Sequence, residues 1–244
     1  MIFRLIAAMA LALVLSACAT KPEAPSSPNA VAATGDEEAN RWVYEAARLV
    51  AAHQPAQALP LAEKAIASYE NAYRKEADLV YSARSPEESL LYALQGANAK
   101  TSTKVYGIHW GLAYFLKGYA LVDLQRIAEA RLAFDAAIAL SPRNSKYLSE
   151  RGEVENSQKN WAPALAIFKR ALDAAEISPP RLKTSETTRA LRGMAYAQIE
   201  LGNLDAAKSL HQLVLLLDPQ NKISRNELEY IDTQQRRPDP LRPR

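Results

Sequence analysis

The sequence predicts an all-α protein built as an array of stacked helical hairpins, and three observations lead there. Composition is 48% hydrophobic but only 7% aromatic, with 8 glycines in 244 residues, an alanine- and leucine-rich balance that favours packed helices over turn-dense β architecture. Small and aromatic residues recur at a fixed interval: Ala130, Phe134 and Ala137 are followed 34 residues later by Ala164, Phe168 and Ala171, and Gly118 by Gly152. The single cysteine, Cys18, lies near the N-terminus, so no disulfide within the chain can substitute for a buried core. A net charge of +3, evenly dispersed, does not mark a nucleic-acid surface.

The period and its residue types resemble the tetratricopeptide repeat (TPR) family. In that family each repeat is a helical hairpin, with small residues where its helices cross and a proline ending the second helix. In this frame residues 111–144 form the clearest unit, with Tyr114 at the usual tryptophan place, Gly118 and Ala130 at the crossing, Phe134 as filler and Pro142 as terminator. Residues 145–178 keep Gly152, Trp161, Ala164, Phe168 and Ala171, but Glu176 takes the proline position and the prolines are delayed to Pro179 and Pro180. That delay lets the second helix run longer. Residues 188–221 carry Leu191, Ala195, Gly202, Ala207 and Pro219, with His211 and Val214 departing from the pattern. Residues 39–72 place Trp42, Ala46, Ala58 and Ala65 in frame, with Ala62 at the aromatic position and Glu70 at the proline one. The resemblance implies a TPR-like helical-hairpin solenoid with an irregular helical insertion and a C-terminal capping helix.

Two stretches interrupt the array. Residues 73–110 exceed one period by only four residues, which admits a degenerate repeat; an extra helix and loop is the preferred reading. Helical character is expected to continue through Tyr73–Val80, and Ser85-Pro86-Glu87-Glu88 reads as a helix start, with a serine cap, a proline in the first turn and a glutamate returning the cap. Residues 179–187 read as a surface loop. Beyond Asn221, Ile223, Leu228 and Ile231 stand among polar neighbours, which predicts a cap over 222–235. The final segment, 236–244, holds four arginines and three prolines and reads as an extended, solvated tail.

The N-terminus has the layout of a secretory signal over residues 1–17, with Arg4 followed by an apolar run from Leu5 to Leu15. That run is too short to span a bilayer as a mature helix. Leu15-Ser16-Ala17-Cys18 resembles the bacterial lipobox, which implies cleavage before Cys18 and acylation of its thiol and new amine. Each acyl chain adds roughly 10 kcal/mol of membrane affinity at ~0.8 kcal/mol per methylene, so anchoring would be permanent. An ordinary signal peptide with a chance cysteine is the alternative. In such lipoproteins an aspartate after the cysteine retains the chain at the inner membrane; Ala19 stands there, which implies the periplasmic face of the outer membrane. Residues 18–38, with Pro22, Pro25, Pro28, Ser26, Ser27 and Gly35, read as a flexible tether.

Motif chemistry is sparse. There is no phosphate-cradling glycine loop, zinc-protease helix pair or serine-nucleophile elbow, and His53, His109 and His211 are scattered without ligand spacing. No cofactor, metal or catalytic residue is expected. Glu37-Glu38 and Glu87-Glu88 suit a linker end and a helix first turn. Aromatics cluster at Tyr81, Tyr92, Tyr106, Trp110, Tyr114, Phe115 and Tyr119; Tyr106, His109 and Trp110, which precede the regular repeat, are the recognition candidates, although packing of the insertion would also explain them. In the TPR family the first helices line a concave groove. Projecting their ligand-facing positions here selects Phe115, Tyr119 and Asp123, then Lys146, Glu153 and Asn156, then Arg189, Arg192 and Tyr196. The basic and asparagine clamp by which some members grip a terminal carboxylate is not reproduced in frame, though Arg189 and Arg192, three apart, share one helical face suited to a carboxylate. The resulting expectation is a non-enzymatic outer-membrane lipoprotein that holds a protein or peptide in its groove and binds no nucleic acid. The alternative is a protein that binds or processes peptidoglycan or another glycan, with Tyr106, Trp110 and Tyr119 stacking on sugar.

Overall fold

The computed structural model describes residues 29–236; the signal segment, Cys18 and residues 237–244 lie outside the described residues. Four antiparallel hairpins follow one another: α1 (Asn29–Ala51) with α2 (Pro55–Tyr73), α4 (His109–Asp123) with α5 (Ile127–Leu140), α6 (Ser145–Ser157) with α7 (Trp161–Ala175), and α8 (Pro180–Glu200) with α9 (Leu204–Leu217). The helix α10 (Lys222–Arg236) closes the end. Consecutive hairpins stack, with α2 on α4, α5 on α6 and α7 on α8, so one continuous core runs from Ala39 to Ala190.

The turn inside each hairpin shows that the four units share a register. His53, Gln125, Lys159 and Gly202 stand at the same place in their units, and each has a positive φ, between 55° and 79°. The next residue in each case donates its N–H to the carbonyl five residues back, Gln54 to Leu49, Arg126 to Leu121, Asn160 to Glu155 and Asn203 to Gln198, at 2.8–2.9 Å. This is the Schellman closure, which satisfies carbonyls left open at a helix C-terminus. His53 is therefore a turn residue. Ala130, Ala164 and Ala207 are fully buried, as helix crossings require, and Ile231 of α10 packs against Ala195 and Ala207, which makes α10 the expected cap.

Four expectations need correction. Helix α1 starts at Asn29, inside the stretch read as a tether, because alanines beyond Pro28 carry the helix upstream of the repeat frame. Residues 179–187 are not a loop: α8 begins at Pro180, where proline's fixed φ suits the first helical position. Helix α7 ends at Ala175, only one residue further into its unit than α5. The insertion, finally, contains the expected extra helix, α3 (Pro86–Asn98), but in place of continued helix through Tyr73–Val80 and a plain loop it adds β1 (Leu79–Ala83) and β2 (Thr103–Gly107), with the strands paired in parallel from Leu79 opposite Thr103 to Ala83 opposite Gly107. Parallel strands need a crossover, and α3 supplies it. Val80 and Tyr81, and Thr103, Val105 and Tyr106, are β-branched and aromatic residues that suit a pleated surface.

The start of α3 forms as expected, Ser85 accepting a hydrogen bond from the Glu88 N–H. Glu88 does not return to its cap. Its carboxylate takes the Arg84 backbone N–H and the Arg84 Nε, at 2.9 and 2.5 Å. The same guanidinium donates to Glu186 on α8 at 2.6 Å and to Ser178 at 3.0 Å, and Ser178 donates to Glu186 at 2.5 Å. One buried arginine thus ties the insertion to the third and fourth hairpins. Ser82 ties it to the second: its Oγ donates to the Gly107 carbonyl and accepts from the Gly111 N–H, while its carbonyl accepts from Ser141.

Candidate functional site

The first helices of the hairpins, α1, α4, α6 and α8, line one face. Along it lies a cavity of about 510 Å³ between Ala47 and Val50 of α1, Leu112, Phe115 and Tyr119 of α4, Lys146 and Glu150 of α6, and Arg189 of α8. A second cavity, of about 350 Å³, is bounded by Glu153, Arg189, Arg192, Tyr196, His211 and Glu227. Arg189 borders both. The expected residues Phe115, Tyr119, Glu153, Arg189, Arg192 and Tyr196 are therefore brought onto one groove, Phe115 as its floor and Tyr196, 44% exposed, at its edge. Asn156 is instead buried, with neither amide atom partnered, because its turn of α6 faces the interior.

The groove is electrostatically graded. Arg189 pairs with Glu150 at 2.9 Å; burial pushes the Glu150 carboxyl above the usual range, against the pull of Arg189. Lys146 lies 5.0 Å over the Phe115 ring, a cation–π contact. Burial, and then repulsion from Arg189, push the Arg192 guanidinium below its usual range. Arg192 takes part in none of the hydrogen bonds or ion pairs among the described residues, although the carboxylates of Glu153 and Asp218 lie near enough to favour its charge. Glu150, Leu112 and His211 were not singled out from sequence as site residues; only the projected groove face, which included Lys146, pointed here.

His211 closes the deep end of the second cavity. It is 2% exposed, its Nδ1 meets Ser224 at 3.1 Å and its Nε2 has no partner. Burial, aided by Arg192, lowers its pKa from 6.5 to about 4. Its folded pKa lies below the unfolded one, so above pH 6.5 it has no effect, and acidification protonates the unfolded chain first. Between pH 7 and pH 5 the wild type should lose ~2 kcal/mol that the His211→Gln variant keeps, measured as the difference between their urea midpoints; parallel profiles would contradict the assignment.

Tyr106, His109 and Trp110 fall elsewhere, in a separate cavity of about 220 Å³ with Asp36, Asn40, Tyr69 and Tyr73. Trp110 is 1% exposed, a wall residue packed on Tyr69, Tyr73 and Tyr106. It has no free face for a sugar, because the irregular insertion folds over it. Tyr106 stacks on Tyr73 with centroids 4.1 Å apart, and His109 hydrogen-bonds Tyr44 at 2.8 Å.

Comparison with known proteins bears on the fold. Residues 115–179, from α4 to the start of α8, match the family model of the tetratricopeptide repeat. Among solved structures, the chain is similar to MamA, residues 41 to the end, from Desulfovibrio magneticus RS-1, at 16% identity over 82% of this chain and 86% of that one, with a TM-score of 0.55. A MamA RS-1 double mutant aligns at 15% identity over 82% and 85%, with a TM-score of 0.53. The first TPR domain of human RPAP3 aligns at 24% identity over 51% and 91%, with a TM-score of 0.45. No curated protein matches the chain in sequence. The architecture is thus a TPR-type helical solenoid, a fold consistent with a protein-binding scaffold. The matched residues 115–179 lie in its two central hairpins, which are similar in sequence to tetratricopeptide repeats.

Proposed function

We propose that this protein is a non-enzymatic scaffold that holds a carboxylate-bearing protein or peptide segment in its concave groove. We further propose that an acylated Cys18 tethers it to the periplasmic face of the outer membrane, where it serves the assembly of an envelope or secretion complex. The observation that carries the groove reading is Arg192: a half-buried cation that makes no hydrogen bond or ion pair among the described residues, in the cavity it shares with the exposed Tyr196. A bound carboxylate would satisfy that charge in partly desolvated surroundings, where charge-assisted hydrogen bonds are strong. Arg189, held by Glu150, would instead position the groove wall. The lipobox-like Leu15–Cys18 supports the tether, which would raise the effective concentration of a membrane-confined partner.

The test is photo-crosslinking from position 196 in intact cells, with the anchored chain recovered in the outer-membrane fraction. Arg192→Glu should cut capture of the natural partner by about tenfold, the worth of a charge-assisted bond, without changing the melting temperature. Undiminished capture would remove Arg192 from the site, and recovery of the wild type as a soluble chain would remove the tether.

A further inference from the structure

We propose that the cavity enclosed by α1, α2, β2 and the start of α4 is a second binding site, one that takes an organic cation: an ammonium or guanidinium group on a short alkyl stem. Its volume of about 220 Å³ is below the ~300–1,000 Å³ of sites that enclose a whole drug-sized ligand, so it suits a single functional group. Its walls are aromatic. The rings of Tyr73 and Tyr106 stack at 4.1 Å, and Trp110 stands edge-on to Tyr106 at 6.1 Å. Aromatic rings attract cations, and one of this set already does so within the chain, with the Arg74 guanidinium 4.8 Å from the Trp110 centroid.

The polar groups carry the choice of charge. Each tyrosine hydroxyl spends its proton on an acceptor: Tyr69 on Asn40 Oδ1 at 2.6 Å, Tyr73 on Asp36 Oδ2, and Tyr106 on Glu76 Oε2 at 2.8 Å. What they leave for a ligand is lone pairs. The nearby cations are already engaged, Lys104 with Glu76 at 2.5 Å and Arg74 with Glu70 at 2.5 Å. Burial pushes the His109 imidazole below its usual pKa, so it brings no charge at neutral pH. Asp36 makes no ion pair among the described residues, and its carboxylate faces the aromatic walls. A phosphate or carboxylate would meet Asp36 and the hydroxyl lone pairs; a cation would complete them.

The group could belong to a free amine or to a basic side chain of a bound protein, and two probes separate these sources. Agmatine, N-acetyl-lysine methylamide and the uncharged N-acetyl-norleucine methylamide are titrated into the full chain while the Trp110 indole N–H resonance is followed. Both cationic probes should saturate, the uncharged one binding at least about tenfold more weakly; the tighter cation assigns the source. Asp36→Asn should weaken both cations about tenfold, and Tyr73→Phe, which keeps the ring but removes a hydroxyl lone pair and the bond that orients the Asp36 carboxylate, should weaken them severalfold, whereas Arg192→Glu should change neither. Equal binding of the uncharged probe, absence of saturation, or cation binding untouched in both Asp36→Asn and Tyr73→Phe would overturn the proposal.

Discussion

Replacing Arg84 with methionine lowers the stability of the folded chain by about 3–5 kcal/mol, the usual consequence of removing one partner from a buried ion pair. The expectation rests on burial. The side chain of Glu88 is fully buried and that of Arg84 is 6% exposed, so the carboxylates of Glu88 and Glu186 would face each other without their shared cation. Had the pair been exposed, screening would leave about 0–1 kcal/mol. Methionine keeps the stem packing, which isolates the charge. Adding Glu88→Gln and Glu186→Gln to Arg84→Met should recover most of the loss, since neutral groups do not need the cation. The measurement is urea unfolding, accompanied by hydrogen exchange at the Ser82 and Gly107 amides, which should open early when the insertion loses its clamp. A loss below 1 kcal/mol would mean that water already reaches the cluster.

The second large effect lies at Phe168. Its ring is fully buried and fills the space left by two glycines: a Cβ built on Gly152 would stand 2.8 Å from the ring, and one on Gly193 would stand 2.2 Å from it. Gly152 belongs to the same hairpin, whereas Gly193 belongs to the next, so one side chain welds a crossing and an interface between repeats. Phe168→Ala should therefore cost ~3–5 kcal/mol. Gly193→Ala should cost ~1–3 kcal/mol by overpacking, because the facing atoms belong to a ring held on every side. In the double variant the cavity accepts the new methyl, so the combined loss should fall short of the sum of the single losses. Strict additivity in thermal or urea melts would show that the two residues do not touch.

The repeats were legible because their signal is local and repeated. A crossing of two helices at close range needs alanine or glycine, the gap beside it needs a large side chain, and the stacking of one hairpin on the next imposes the same need one period later. Gly118, Ala130 and Phe134, echoed by Gly152, Ala164 and Phe168, carry that demand in plain order. The projection from helix position selected Tyr119, Glu153, Arg189, Arg192 and Tyr196, which line cavities along the first-helix face. Asn156, selected by the same projection, is buried. The insertion was misread because β1 and β2 are five residues each, too short to display a period, and their partners are supplied by a crossover.

Sequence alone determined the helical class, the hairpin register and the capped end, since each follows from contacts within one unit or between neighbouring units. Tertiary structure decided what no spacing encodes: that Trp110 is a wall, that Arg84 serves carboxylates from Glu88 and Glu186, and that Arg189 is paired while Arg192 is not. These outcomes depend on groups far apart in the chain meeting in a poorly solvated place, where burial and proximity, rather than residue type, set which charges are satisfied.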